Sequence, residues 1–314
     1  MKRLLTVQDI SCVGKCSLTV ALPIISAFGI EACPLPTAVL STHTAFEHYT
    51  FKDLTEEIPA IEDVWEQENL RFDTITSGYL GSVRQVDLVR DICHRFGKGA
   101  DAADTLQTGT QGGSGRDSSG NSGRATGKVS CGSRATLRIV DPAMADGGVL
   151  YKGFTQEFVG AMKGLCGEAD VIVPNLTEGC LLTGMEYRED GDEEYWKELA
   201  VRLSGLGCPN VVLTGFSAKG EIGALSYSRD QGIFRSYVNE RLPVQYHGTG
   251  DIFASVLAGA LTLGRTLSEA QQLAVDFTLE SMRATQRDPD RVFYGVNFEE
   301  ALPGLMEHIS GHRA

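Results

Sequence analysis

Residues 244–261 decide the fold, and they read Val-Gln-Tyr-His-Gly-Thr-Gly-Asp-Ile-Phe-Ala-Ser-Val-Leu-Ala-Gly-Ala-Leu. Gly248, Thr249 and Gly250 form a glycine-rich turn, and the run of small apolar residues after Asp251 predicts a buried helix. Such a turn leaves backbone N–H groups unpaired at the positive end of the helix dipole, which suits a phosphate group. A carboxylate beside these amides could accept a hydroxyl proton, so the stretch contains the parts of a phosphoryl-transfer site.

The four residues from Gly248 to Asp251 resemble the GxGD signature of the ribokinase superfamily. In that superfamily the glycine turn is the anion hole and the Asp is the catalytic base, so the resemblance implies both roles here. Taken alone, the same four residues fit an Asp at an ordinary helix N-terminus equally well. The rest of the chain must therefore decide between the two interpretations.

The composition is typical of one large α/β domain. The chain has 314 residues, of which 42% are hydrophobic and 22% charged, enough for a sizeable core. Its net charge of −13 argues against nucleic acid or an anionic membrane as a partner, because both bind basic surfaces. We find neither a signal peptide nor an apolar run near the ~20 residues of a membrane span, and we expect a cytoplasmic protein with reduced cysteines.

The first strand–turn–helix unit places polar residues where α/β proteins bind ligands. Leu4–Val7 is a predicted strand, Gln8–Gly14 a turn, and a helix follows from Ser17. Asp9 and Ser11 in that turn are candidate substrate-binding residues. Helix capping alone would also explain both residue types.

Two further segments narrow the resemblance to pyridoxal kinases. The segment Ser77-Gly-Tyr-Leu-Gly-Ser82 matches the family's SGYLGS residue for residue, and residues 37–44 resemble its NTVQFSNHT segment. An aromatic face is a suitable contact for a flat heterocycle. The alternatives are a Ser/Thr-rich loop and an ordinary core Tyr. The resemblance implies a pyridine pocket that includes Ser41, His43, Thr44 and Tyr79.

Residues 97–134 differ in kind, because they are rich in Gly and Ser and nearly empty of large apolar residues. Such a segment cannot bury enough apolar surface to offset its ordering entropy. We therefore predict a disordered insertion within a single domain that spans residues 1–314. Deleting residues 100–132 should leave folding and activity largely intact, and loss of soluble protein would show that the segment packs.

The second half of the chain resembles the nucleotide side of the same family. Residues 141–146 resemble its DPVMGD segment, and Pro174, Asn175 and Glu178 fit its PNxxE motif. Asp-Pro is also common turn chemistry, and Asn175 with Glu178 is also a good capping box. The resemblance places Mg²⁺ near Asp141 and Glu178, and the nucleotide near Asp141, Asp146, Tyr151, Asn175, Thr214 and Gly215.

Taken over nearly the whole chain, the resemblance implies a ribokinase-like three-layer α/β/α fold with a mostly parallel central sheet. Polar residues should meet at the carboxyl edge of that sheet. The implied activity is pyridoxal kinase, which uses ATP and Mg²⁺, with a monovalent cation such as K⁺ as a further expectation and a homodimer as the expected assembly. We expect Asp251 to be ionised and a weak base that depends on close positioning. The converging strand ends carry Asp9, Thr44, Tyr79, Asp141, Asn175, Thr214 and Asp251.

One departure leaves the substrate open. Pyridoxal kinases usually have Ser where this chain has Asp9, and residues 9–14 also resemble the DPSGGAG segment of hydroxymethylpyrimidine kinases. A carboxylate there could pair with the amine of pyridoxamine. A non-catalytic nucleotide- or vitamer-binding regulator, and a sugar or nucleoside kinase, are the remaining alternatives.

Overall fold

The structure, a computed structural model, describes residues 1–97 and 136–311. The strands among them are β1 (Arg3–Ser11), β2 (Glu31–Leu40), β3 (Phe51–Asp53), β4 (Thr74–Ser77), β5 (Leu137–Val140), β6 (Ala145–Asp146), β7 (Val149–Leu150), β8 (Val171–Ile172), β9 (Asn210–Ala218), β10 (Glu221–Ser228) and β11 (Ile233–Glu240). The α-helices are α1 (Leu18–Ala27), α2 (Ile58–Gln67), α3 (Val83–Arg95), α4 (Gln156–Gly167), α5 (Leu176–Thr183), α6 (Glu193–Ser204), α7 (Thr249–Thr262), α8 (Leu267–Arg287) and α9 (Phe298–Ser310).

A nine-stranded sheet forms the centre, in the order β11-β10-β9-β8-β5-β4-β1-β2-β3. The strands from β9 to β2 in this order pair in parallel, and antiparallel pairs add β10 and β11 at one edge and β3 at the other. Helices α1, α7, α8 and α9 pack on one face around one apolar core, and α2 to α6 pack on the other face around a second core. The predicted three-layer α/β/α arrangement with a mostly parallel sheet is confirmed.

The strands around the carboxyl edge are longer than their local sequence indicates. β1 runs on to Ser11, so Asp9 and Ser11 lie within the strand and the predicted turn from Gln8 is wrong. The reason is continued pairing with β2, whose register shifts between Gln8 and Ile10. Between these two pairs β1 advances by two residues and β2 by three, so the extra residue lies in β2, opposite Asp9.

Strand β9 is extended in the same way. It continues to Ala218, so Thr214 and Gly215 lie inside the strand. Here too the pairing partner is responsible, because β10 follows β9 along its whole length with an irregularity between Gly223 and Ala224.

The predicted insertion falls outside the described residues, apart from Gly97, and both the insertion and the single-domain organisation stay predictions. The two residues that flank the undescribed segment are nevertheless close together. An ideal Cβ on Gly97 would lie 3.6 Å from the Cβ of Thr136, and the Thr136 hydroxyl donates to the Phe72 carbonyl at 2.7 Å. The chain therefore leaves and rejoins the sheet at nearly the same point. Across the described residues, none of the helices combines the length and the apolar character needed to cross a membrane.

Candidate active site

The carboxyl edge of the sheet brings two acids into one narrow polar cavity. Asp141 follows β5, and Asp251 lies in the first turn of α7. The cavity between them has a volume of about 10 Å³, about enough for one water molecule, and its wall includes Thr6, Gln8 and Thr76. Thr6 and Gln8 lie within β1 and Thr76 lies within β4, so neighbouring strands of the sheet and the first turn of α7 together form the cavity.

The glycine turn predicted to be an anion hole stands at the head of α7. Gly248 is the N-cap with φ 80°, a left-handed conformation that favours glycine. A Cβ at Gly248 would lie 2.1 Å from the carbonyl oxygen of Lys15, so the turn also packs directly on the loop after β1. Ile252 N–H bonds to the Gly248 carbonyl, and the N–H groups of the residues before Ile252 therefore precede the helix's own hydrogen-bond ladder.

The protonation behaviour of Asp251 corrects the expectation from sequence. Burial raises its pKa from the ordinary 3.8 to about 6, the nearby charge of Asp9 adds to this, and the backbone N–H of Ser17 opposes it. We expected an ionised and weak base at a helix N-terminus, but desolvation outweighs the hydrogen bond from the Ser17 backbone N–H. Asp251 is thus a stronger base than predicted and is still mostly ionised at neutral pH.

Asp9 is buried beside these residues and has a defined partner. The Ser17 hydroxyl donates to Asp9 Oδ1 at 2.6 Å. Burial raises the pKa of Asp9 and the Ser17 hydrogen bond lowers it, while the Asp9 charge contributes to raising the pKa of Tyr79. Sequence reasoning gave no role to Ser17, which contacts both acids, because a serine before a helix looks like an ordinary cap.

The pyridine-pocket residues predicted from resemblance occupy one side of the same edge. The His43 ring lies 5.3 Å from the ring of His247, and burial followed by His247 lowers the pKa of His43. Tyr79 lies 5.6 Å from the Phe154 ring. Neither His247 nor Phe154 was singled out from the sequence, since a lone aromatic residue carries no motif.

The hydroxyl residues of that set differ in their surroundings. The Ser41 hydroxyl accepts a hydrogen bond from Thr50 N–H at 2.8 Å and so closes a local loop, whereas Thr44 is exposed. Ser11 is buried in β1. Their roles toward a substrate stay predictions.

On the other side of the cavity, Asn175 and Glu178 form the capping box at the start of α5. Glu178 N–H donates to Asn175 Oδ1 at 2.9 Å, and Asn175 N–H donates to Glu178 Oε2 at 2.9 Å. The second oxygen, Glu178 Oε1, accepts from Met144 N–H at 3.0 Å, and the Asn175 amide donates to the Ala145 carbonyl. The local alternative offered by the sequence is therefore correct, and it ties β6 to α5 beneath the candidate nucleotide side.

Three carboxylates on this edge influence one another. Burial raises the pKa of Glu178 to about 8, against the opposing hydrogen bonds from backbone N–H groups. Burial also raises the pKa of Asp141, and the charges of Glu178 and Asp251 raise it further. A cation placed among these groups would relieve the repulsion.

Magnesium fits this donor set. Within residues 1–97 and 136–311 there is no group of three or more His, Cys, Asp or Glu side chains arranged to hold a metal ion. Mg²⁺ is commonly bound by only one or two carboxylates and completes its shell with phosphate oxygens and water. Asp141 can supply such an oxygen. Glu178 already uses both oxygens for backbone N–H groups, which favours contact through water.

The remaining nucleotide-side residues lie around this acidic group. Tyr151 follows the β6–β7 hairpin that carries Asp146, and its side chain is 42% exposed. Thr214 N–H donates to the Pro174 carbonyl at 3.0 Å, which joins β9 to the segment before α5. Gly215 is exposed, with φ 76°.

A parallel sheet whose carboxyl edge faces an amide-lined helix N-terminus and its acid defines a ribokinase-like protein. The chain belongs to the phosphomethylpyrimidine kinase family, whose model matches residues 131–294, just over half of the sequence.

Solved structures and curated relatives agree with that assignment. A putative phosphomethylpyrimidine kinase from Bacteroides thetaiotaomicron is 34% identical over 97% of this chain and 93% of its own, with a TM-score of 0.82. A second crystal form of that protein contains pyridoxal and has a TM-score of 0.81. Pyridoxal kinase from Lactobacillus plantarum is 29% identical over 99% of both chains, with a TM-score of 0.79.

The curated relatives cover less of their own length. The thiamine biosynthesis bifunctional protein ThiED of Geobacter sulfurreducens is 33% identical over 49% of this chain but only 31% of that protein. The pyridoxal kinase PdxY of Rubrobacter xylanophilus is 30% identical over 43% of this chain and 46% of that protein. This chain therefore matches about a third to a half of the length of these relatives.

Proposed function

We propose that the protein is an ATP-dependent kinase that phosphorylates the 5′-hydroxymethyl group of pyridoxal, pyridoxamine or pyridoxine. The observation that carries the proposal is the position of Asp251 in the first turn of α7, in one polar cavity with Asp141. A half-buried carboxylate next to amides outside the helical hydrogen-bond ladder serves to remove a proton while negative charge develops beside it.

In the proposed reaction the vitamer's hydroxymethyl oxygen faces Asp251 and attacks the γ-phosphorus of ATP. The P–O bond to the β-phosphate breaks, ADP leaves, and the hydroxyl proton passes to the Asp251 carboxylate. A pKa of about 6 makes Asp251 a better acceptor than an ordinary Asp while leaving it mostly charged at pH 7. The amides of Gly248, Thr249 and Gly250 stabilise the charge on the transferred group.

Magnesium would be held through Asp141, with Glu178 and Asn175 acting through water or phosphate. When bound, Mg²⁺ supplies positive charge that neutralises the phosphate oxygens. Asp146, Tyr151, Thr214 and Gly215 would then line the nucleotide. A requirement for K⁺ and a homodimeric state stay predictions, tested by replacing KCl with choline chloride in the assay and by light scattering of purified protein.

The ring of the vitamer would be held on the side of Tyr79 and His43. Asp9 is buried, and its charge contributes to the environment of Tyr79, which suits an amine-bearing ring. Asp9→Ser should therefore weaken the binding of pyridoxamine more than the binding of pyridoxal. Unchanged kcat/KM for every vitamer in Asp9→Ser would remove Asp9 from substrate recognition.

The second candidate is a hydroxymethylpyrimidine kinase of thiamine biosynthesis, favoured by the family's own description and by the similarity to ThiED. The pyridoxal in the crystals of the Bacteroides protein favours a vitamer instead. One experiment separates the candidates: pyridoxal, pyridoxamine, pyridoxine and hydroxymethylpyrimidine compete for phosphorylation by the purified protein. Preference for the pyrimidine would overturn the main proposal. If none of the four compounds led to ATP consumption, both kinase candidates would be excluded, and a non-catalytic regulator or a kinase for another class of acceptor would be favoured.

A further inference from the structure

Ser17 has a backbone conformation that serine rarely adopts. Its φ of 48° and ψ of −130° match the first central position of a type II′ turn, where glycine is the usual residue. Among the described residues, the other non-glycine residues with positive φ are Asn69 and Lys219, and both are exposed, whereas Ser17 is buried. A side chain in such a conformation is strained, and strain persists only where the surroundings enforce it.

The surroundings fix Ser17 from both sides. Its carbonyl accepts hydrogen bonds from Val20 N–H at 3.1 Å and Ala21 N–H at 2.9 Å, which anchors it to the start of α1. On the other side, the Lys15 carbonyl packs against Gly248, and the Lys15 ammonium donates to Asn297 Oδ1 at 3.0 Å. The short loop between β1 and α1 is thus held against the head of α7.

Ser17 touches two acids of the candidate site through two different groups. Its hydroxyl donates to Asp9 Oδ1 at 2.6 Å, and its backbone N–H faces the Asp251 carboxylate and lowers the pKa of that group. A glycine would supply the same N–H in the same conformation without strain. What serine adds at this position is therefore the hydroxyl that donates to Asp9.

We infer that Ser17 is a positioning residue that sets the orientation of the Asp9 carboxylate toward the substrate ring, independently of the hold its N–H has on Asp251. The inference rests on the proposed function for the identity of the substrate. It deepens that function, because the Ser17 hydroxyl would then contribute to the affinity for the vitamer and not to the rate of phosphoryl transfer. Ser17 belongs to none of the motifs named in the sequence.

Two variants separate the hydroxyl from the strain. Ser17→Gly and Ser17→Ala both lose the hydroxyl and keep the N–H, but only Ser17→Gly relieves the backbone. We expect both to raise KM for the B6 vitamer on the order of tenfold, as for the loss of a hydrogen bond to a charged group, with kcat and the KM for ATP within about twofold of wild type. Ser17→Gly should melt about 2 °C or more above Ser17→Ala.

The matched control is Asn69→Gly, which relieves a positive φ of 52° on the exposed surface and should change neither kinetic constant. Coupling to Asp9 is tested by introducing Ser17→Ala into the Asp9→Ala variant, which has no acceptor for the Ser17 hydroxyl, so the effect of Ser17→Ala on KM should vanish. A wild-type vitamer KM in Ser17→Gly, or the same KM increase with and without Asp9, would overturn the inference. Failure of the wild-type protein to phosphorylate any of the four alcohols would instead refute the proposed function, so the two failures are distinct.

Discussion

Replacing Asp251 with Asn should stabilise the protein while abolishing its proposed activity. The substitution keeps the shape of the side chain and an oxygen for the Ser17 N–H, but it removes the charge. Burial raises the pKa of Asp251 from 3.8 to about 6, which means that the folded state disfavours the charged carboxylate that is present at neutral pH. Removing that charge removes the penalty.

The size of the effect follows from the two pKa values. The difference between 3.8 and about 6 corresponds to about 3 kcal/mol, and because Asp251 is only half-buried we expect a gain on the order of 1–3 kcal/mol in the free energy of unfolding. Since the folded pKa lies above the unfolded one, the penalty is absent below about pH 4, develops between the two values and is complete above about pH 6. The advantage of Asp251→Asn over wild type should therefore grow as the pH rises from about 4 to about 6 and stay constant above that.

The assay is thermal or urea unfolding of both proteins from pH 4.5 to pH 8, together with kcat for the preferred alcohol. We expect kcat to fall about 10²–10⁴-fold, the usual contribution of a general base. The control is Asp53→Asn, because hydrogen bonds from Thr55 lower the pKa of Asp53 and its loss should destabilise the protein at pH 7. Equal stability of Asp251→Asn and wild type at pH 8, or near-normal turnover by the variant, would refute the reasoning.

Three further changes test other parts of the structure. Gly248→Ala should lower the free energy of unfolding by at least about 2 kcal/mol, because of the positive φ and the contact with the Lys15 carbonyl. The control is Gly250→Ala, which has nothing within 4 Å of the new Cβ and should unfold like wild type, and equal urea midpoints for the two variants would contradict this prediction. Deleting residues 100–132 should give soluble protein with wild-type kcat/KM, since the flanking residues lie side by side, and insoluble product would show that the segment packs. Glu178→Gln should cost about 1–3 kcal/mol, measured by urea unfolding, because an amide N–H₂ would face a backbone donor; an unchanged midpoint would show that the carboxylate is not needed as an acceptor.

The residues that bring the site together were accessible from sequence wherever a local pattern carries the structure. The glycine turn and the small-residue helix after Asp251 are such a pattern, and so is the capping box of Asn175 and Glu178. Each is determined within a few residues, by the conformation that glycine allows or by side chains that cap their own helix.

The parts that sequence reasoning missed depend on partners far along the chain. Asp9 lies inside β1 because of pairing with β2, and no feature of residues 8–11 alone reveals that register shift. The raised pKa of Asp251 comes from burial, and Thr6 and Gln8 of β1, which line the same cavity, lie more than 200 residues away in the sequence. Nothing in the sequence distinguishes Ser17 from other serines, and only its backbone φ in the structure is unusual. Long-range packing, and not composition, is what sets the chemistry of these three residues.

The neighbouring positions of Gly97 and Thr136 have a consequence for how this protein tolerates change in length. Because its two ends are already adjacent, the connecting segment has no minimum length. Each doubling of a flexible loop adds only about 0.6 kcal/mol of closure entropy. A guest module with adjacent termini, such as a fluorescent reporter, could be grafted at this junction without moving a strand. The kinase scaffold and the inserted module would then fold as separate units, connected at this one junction beside the sheet.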